Sequence, residues 1–203
     1  MKRLLALFVL IVASASAHAE APVILVFGDS ISAGYGLPLE QGWVELLKTR
    51  LKTQGYGYQV VNASVSGETT AGGLARLPRA LELHHPSIVI LELGGNDGLR
   101  GLPTVQMRSN LTQMVNLSTT AGAQVLLLGM RMPPNYGPEY TKQFAMVFSD
   151  LAAAKKTALV PFLLTNIALS PALLQADDIH PNAQGQPILL DNVWPALQPL
   201  LGK

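Results

Sequence analysis

An α/β fold, with a parallel sheet covered by helices on both faces, is predicted by three features of the 203-residue sequence. Five short runs are apolar at nearly every position, as strands buried on both faces are. The segments between them repeat apolar residues at the three-to-four spacing of amphipathic helices. Strand and helix patterns also alternate along the chain, which marks βαβ units with right-handed crossovers.

The first strand is read at Val23-Ile24-Leu25-Val26-Phe27, and it ends abruptly on Gly28-Asp29-Ser30. Trp43, Val44, Leu47 and Leu51 then recur at helical spacing, with Gly55 as the expected stop. "YQVVNA" (58–63) is a second strand, and Leu74, Leu77 and Leu81 mark a helix ending near His84 and His85. "SIVILEL" (87–93) is the third strand, followed by a helix carrying Met107, Leu111, Met114 and Val115. "AQVLLLGM" (123–130) is the fourth, followed by a stripe of Tyr140, Phe144, Val147, Phe148 and Leu151. "ALVP" (158–161) is a short fifth strand. Asn182 is the expected cap of a last helix carrying Ile188, Val193, Leu197 and Leu200, with Pro187 and Pro195 as interior breakers.

Composition removes several classes of function. Apolar residues make up 49% and charged residues 13%, which provides a full core and argues against disorder. Lys2 and Arg3, the apolar run Leu4–Val12 and the small residues Ala17-His18-Ala19 read as a secretory signal peptide over residues 1–19. Residues 20–203 are then a single domain, expected in the periplasm or outside the cell as a monomer without a stable membrane anchor. Removing residues 1–19 takes away two basic residues and no acidic one, so the formal charge moves from +1 to −1. That leaves no basic footprint for nucleic acid. There is no cysteine, which excludes thiol catalysis and thiolate metal sites. Of the four histidines only His84, His85 and His180 survive processing, too few for a histidine-built metal centre. Neither a metal nor a cofactor is expected.

In parallel α/β sheets the loops after the strands carry the site. Here those loops are Gly28-Asp29-Ser30, "NASVSGETT" with Gly67, "GGND" with Asn96, "RMPPNYG", and near the C-terminus "ADDIHPN" with Asp177 and His180. They offer a hydroxyl, a backbone amide beside a glycine, a carboxamide, a carboxylate and an imidazole. A serine hydroxyl needs a base to become a nucleophile, histidine is the usual base, and a carboxylate fixes its tautomer. Amide donors aimed at the acyl oxygen supply the electrostatic stabilisation. Each block alone also fits a plain turn, and Asp177 and Asp178 also fit a role at the start of a helix. His84 and His85 close a helix just before a strand, at the opposite edge of the sheet, which leaves His180 as the candidate base.

Taken together, "FGDSISAGYG", "VVNASVSGETTAGGLARLP", "LELGGNDGLRG", "RMPPNYG" and "IHPN" resemble the SGNH (GDSL-type) hydrolases over nearly the whole chain after residue 19. Within that family their wording is similar to the bacterial periplasmic acyl-CoA thioesterase, arylesterase and lysophospholipase subgroup. The resemblance implies a three-layer α/β/α sandwich of flavodoxin-like type with about five parallel strands. It implies Ser30 as nucleophile, His180 as general base, Asp177 as the carboxylate, and Ser30 N–H, Gly67 N–H and the Asn96 side chain as the oxyanion hole. Two departures stand out. The first block reads Gly-Asp-Ser-Ile, with Ile31 where leucine is usual, and the last reads Asp-Asp-Ile-His, with Asp178 where glycine is usual. Asp178 is therefore a rival carboxylate.

The implied substrate is a small acyl ester or thioester. Leu99, Leu102, Met132 and Tyr136 are the candidate residues for the acyl chain. A carbohydrate O-deacetylase of the same superfamily and a non-catalytic ligand-binding module are the competing expectations. Nucleotide binding is not expected, because no G-x-G-x-x-G or G-x-x-x-x-G-K-[ST] motif is present.

Overall fold

The computed structural model describes residues 21–202, and the expected signal peptide lies outside them. Five strands, β1 (Val23–Gly28), β2 (Gln59–Asn62), β3 (Ile88–Glu92), β4 (Gln124–Leu128) and β5 (Ala158–Val160), form one parallel sheet. Their order is β2-β1-β3-β4-β5. Ile24 to Phe27, Ile88 to Leu91 and Leu126 to Leu128 are all at most 1% exposed, which is why these runs do not alternate polar with apolar.

Among the described residues seven α-helices lie between and after the strands: α1 (Ser30–Ala33), α2 (Trp43–Thr53), α3 (Thr70–His84), α4 (Gly95–Leu99), α5 (Thr104–Thr120), α6 (Pro138–Lys155) and α7 (Gln186–Leu197). Helix α2 packs on α7, whereas α5 packs against both α3 and α6. These are the two helical layers of the sandwich. The apolar stripes face the sheet, and Trp43, Leu47, Leu77, Leu111, Met114 and Phe144 are fully buried. Helix α3 starts on Thr69, whose side chain accepts the Gly72 N–H. It ends on His85 in the left-handed region, φ 41°. Among the described residues no helix is long and apolar enough to cross a membrane.

The last helix departs from expectation. It begins at Gln186, after Gly185, and Asn182 does not cap it. Asn182 instead accepts the N–H groups of Gln184 and Gly185, and its Nδ2 donates to the carbonyls of Ala172 and Leu174. It thereby pins the loop that carries His180. Pro187 sits in the first turn, where its missing donor costs nothing. Pro195 is tolerated near the end, and Leu200 lies beyond α7 in a 3₁₀ turn, Gln198–Leu200.

The strand order reverses beside β1. The chain passes from β1 outward to β2, then returns to lay β3 on the other side. The crevice at the carboxyl ends of β1 and β3 is the topological switch point, where ligands bind in such sheets. His84 and His85 lie at the other edge, beside Pro22 and Val23 at the start of β1.

Candidate active site

Ser30 is the first residue of α1, immediately beyond the end of β1. Asp29 caps that short helix, its Oδ1 accepting the Ile31 N–H at 3.1 Å. Ser30 is thus held at the sheet edge with its own N–H at a helix start. That N–H has no hydrogen-bond partner among the described residues.

His180 and Asp177 come from the loop before α7. His180 Nε2 lies 2.8 Å from Ser30 Oγ, and His180 Nδ1 lies 2.6 Å from Asp177 Oδ2. The other oxygen of Asp177 accepts the N–H groups of Ile179 and His180, both at 3.0 Å. Partial burial pushes Asp177 up, but the hydrogen bonds from His180 and Ile179 outweigh it and bring its pKa down to about 2. The stability this group contributes is present above the unfolded value near 3.8 and lost as pH falls through about 2. Asp178 is exposed, has φ 57°, and donates its N–H to the Gln175 carbonyl. The usual glycine here is explained by that left-handed backbone, which aspartate adopts more readily than most residues. Between the rivals, Asp177 is the carboxylate that the fold brings to the imidazole.

Two residues that sequence reasoning passed over hold the imidazole in place. The Tyr35 ring lies 4.8 Å from the His180 ring, centroid to centroid. The Gln175 side-chain amide donates to the Tyr35 carbonyl at 2.7 Å and to the Pro181 carbonyl at 3.2 Å, while its backbone N–H donates to the His180 carbonyl at 2.8 Å. Gln175 thus ties the Ser30 segment to the His180 loop across 140 residues of sequence.

The second loop is laid along the end of β1 by two backbone bonds, Ala63 N–H to the Val26 carbonyl and Val65 N–H to the Gly28 carbonyl. Gly67 follows with φ 79° and a free N–H among the described residues. A Cβ there would meet no atom within 4 Å, so the backbone angle is what requires glycine. Arg100 Nη2 donates to the Gly67 carbonyl at 3.0 Å and ties this loop to the end of α4.

Asn96 sits in the first turn of α4, half-buried, beyond the end of β3. The next residue, Asp97, anchors that turn. Its carboxylate accepts the Thr70 N–H at 2.8 Å and the Thr70 hydroxyl at 2.5 Å, and Asn110 completes the network. Ser30, Gly67 and Asn96 therefore converge on one sheet edge with His180 and Asp177.

The candidate acyl-binding residues divide. Leu99 and Leu102 are both 38% exposed, on α4 and the loop after it. The Tyr136 hydroxyl donates to the Leu99 carbonyl at 3.0 Å, and Tyr140 does the same for Leu102 at 2.8 Å. Met132 is only 9% exposed, and its sulfur fills the space where Gly98 has no side chain. It backs the α4 segment from below and is not part of an open wall.

Beneath Ser30 lies a buried carboxyl pair, Asp29 and Glu92, 2% and 0% exposed. Glu92 is level with Gly28 in the sheet, and a Cβ on Gly28 would stand 2.5 Å from Glu92 Oε2. Glycine precedes Asp29 because the Glu92 carboxyl occupies its side-chain space. Burial pushes Asp29 up to about 6, and burial together with the Asp29 charge pushes Glu92 well above its ordinary value. Such groups stabilise the fold most below their unfolded values near 4. That contribution is lost as pH rises through about 6 for Asp29 and higher for Glu92. Glu92→Gln, neutral at every pH, is therefore expected to gain on the parent protein in thermal melts as pH rises from about 5, by about 3 °C per pH unit for as long as the folded protein keeps Glu92 protonated. A difference in melting temperature that stays constant as pH rises contradicts a protonated Glu92.

Comparison with known proteins agrees with this architecture. The esterase TesA of Pseudomonas aeruginosa is 54% identical over 184 residues, covering 91% of this chain and 92% of that protein. The thioesterase 1/protease 1/lysophospholipase L1 of Escherichia coli K12 is 41% identical over 183 residues, covering 90% of this chain and 86% of that one. The crystal structure of TesA superposes with a TM-score of 0.87 at 55% identity, over 88% of this chain and 99% of the other. Residues 26–188, which run from the end of β1 into α7, match the GDSL-like lipase/acylhydrolase family, and the chain belongs to that family.

Proposed function

We propose that this chain hydrolyses fatty-acyl esters and thioesters through an acyl-enzyme on Ser30. The observation that carries the reading is the continuous chain of hydrogen bonds from Ser30 Oγ to His180 at 2.8 Å and from His180 to Asp177 at 2.6 Å. As Ser30 Oγ bonds to the acyl carbon, its proton passes to His180 Nε2, and the ionised Asp177 stabilises the imidazolium. The carbonyl oxygen becomes an oxyanion within reach of the Ser30 and Gly67 N–H groups and the Asn96 amide. Collapse breaks the bond to the alcohol or thiol, which leaves with the proton from His180. Water, deprotonated by the same imidazole, then cleaves the acyl-enzyme and restores the serine.

Exposed Leu99 and Leu102 beside this edge favour an acyl chain over a sugar. The same reading has the hydrolase exported to the periplasm and working as a monomer, and the N-terminal segment, residues 2–19, supports the export. Measured on purified protein, acyl-CoA, aryl esters and lysophospholipids are expected to be turned over in preference to acetylated sugars. A panel in which acetylated sugars dominate overturns the substrate class.

Asn96→Ala tests the oxyanion assignment. The charge on oxygen is absent from the ground state, so kcat is expected to fall about 10²–10³-fold with little change in KM. If Asn96 only shapes its loop, melting temperature and KM shift together and kcat stays within a few-fold of the parent.

A further inference from the structure

We propose that Tyr35 is a positioning residue for the hydrolysis: the face of its ring holds the His180 imidazole in line with Ser30 and stabilises the imidazolium formed when His180 takes the serine proton. The inference rests on the reading of His180 as the general base. The two rings lie 4.8 Å apart, centroid to centroid, with their planes tilted by 43°. An aromatic face carries partial negative charge, and a cation within about 6 Å of its centroid is attracted to it. A neutral imidazole gains much less, so the contact favours the charged form.

Several features of the chain place the ring there. The Tyr35 N–H donates to the Ser30 carbonyl at 3.0 Å, so the ring rides on the turn that carries the nucleophile. Gly34 and Gly36 flank it in the left-handed region, at φ 72° and 76°. From the His180 loop, Gln175 Nε2 donates to the Tyr35 carbonyl at 2.7 Å, and a Cβ on Gly36 would collide with Gln175 Oε1. The fastening is therefore to the Tyr35 backbone. Its hydroxyl makes no hydrogen bond among the described residues, and the residue is 53% exposed. A tyrosine that served only to fill the core would be buried.

The shallow site gives the ring its importance. The Asp177 side chain is 38% exposed, whereas that of His180 is 16% exposed. Water around Asp177 weakens its hold on a positive charge, so a second stabilising group against the imidazole counts. The titratable groups facing His180 are Asp177 from its own loop, at 2.6 Å, Asp29 from the end of β1, and Tyr35 itself, with the Ser30 hydroxyl at 2.8 Å. Both carboxyl groups are retained in every Tyr35 variant below, so a changed pH profile reports the ring.

Tyr35→Leu keeps an apolar side chain beside the imidazole and removes the aromatic face. On a soluble acyl ester it is expected to lower kcat about 3–10-fold with KM within about twofold, since the charge on His180 exists only in the transition state. The acid limb of kcat/KM is expected to move down by about half a pH unit, because the imidazolium has lost a stabilising partner and gives up its proton at lower pH. Tyr35→Phe loses only the unbonded hydroxyl and is expected to keep kcat within about twofold of the parent and the limb within about 0.2 pH unit. Pentafluorophenylalanine at position 35 has nearly the shape of phenylalanine with the ring charge reversed. It is expected to move the limb at least as far as Tyr35→Leu.

The failures are distinguishable. If His180→Ala leaves kcat within a few-fold of the parent, the general-base reading falls and takes this inference with it. If His180→Ala is severe but Tyr35→Leu leaves the acid limb in place, or phenylalanine and its pentafluoro form behave alike, only the role of Tyr35 is overturned. A rise in KM with kcat unchanged in Tyr35→Leu also overturns it, and makes Tyr35 part of the substrate wall.

Discussion

Ser30→Ala leaves a folded protein whose kcat on an acyl ester is lower by about 10⁶, as when the nucleophile is removed from other serine hydrolases. The effect is large because no other group can take over. His180 Nε2 then faces a methyl group, and the imidazole has nothing to deprotonate except water. The backbone amide of residue 30 remains, so a modest residual rate from charge stabilisation is expected and does not argue against the mechanism. The fold tolerates the change. Ser30 is half-buried, and its hydroxyl bonds to His180 alone among the described residues, so the melting temperature stays within a few degrees of the parent. A folded variant with kcat within tenfold of the parent shows that Ser30 is not the nucleophile.

The asymmetry between two adjacent aspartates is the second large effect. Asp177→Ala removes the acceptor of the His180 Nδ1 hydrogen and of two backbone N–H groups. The imidazole loses its fixed tautomer and its counter-charge in the transition state, so kcat falls by about 10⁴. Asp178 points no hydrogen bond from its side chain to the imidazole, and its only bond among the described residues is from its own N–H to Gln175. Asp178→Ala is therefore expected to keep kcat within about threefold, at the cost of strain from placing alanine at φ 57°. Paired kinetics on the two variants check this, and the reverse ranking moves the carboxylate role to Asp178.

All five strands were legible because each is a run of apolar residues long enough to stand out, and the long helices because their stripes repeat over several turns. Helices α1 and α4 were not. At four and five residues they are shorter than one useful period; α1 is capped locally by Asp29, and Asp97 of α4 is anchored by Thr70, 27 residues away in sequence. Ser30, Gly67 and Asn96 were legible in the loops after β1, β2 and β3, and Asp177 and His180 in the loop before the last helix, with their roles implied by the family resemblance. Asp29 read as part of a turn, and its bonds to Glu92 and Asn96 span 63 and 67 residues, which no local pattern reveals. One signal was present and went unread: Glu92 is a charged residue inside "SIVILEL", and a charge in a buried strand requires a partner. Met132 is the opposite case. As an apolar residue in a strand-end loop it reads as part of the substrate wall, whereas its sulfur lies in the space left by the missing side chain of Gly98.

The covalent intermediate is the most direct test of the central claim. Purified protein lacking residues 1–19 is treated with a fluorophosphonate, and the adduct is located by intact mass and peptide mapping. The account predicts one phosphonyl group per chain, on the peptide containing Ser30, formed in step with loss of activity and absent from Ser30→Ala. Full inactivation with the adduct on another residue, or full esterase activity in a protein that the probe never labels, contradicts it.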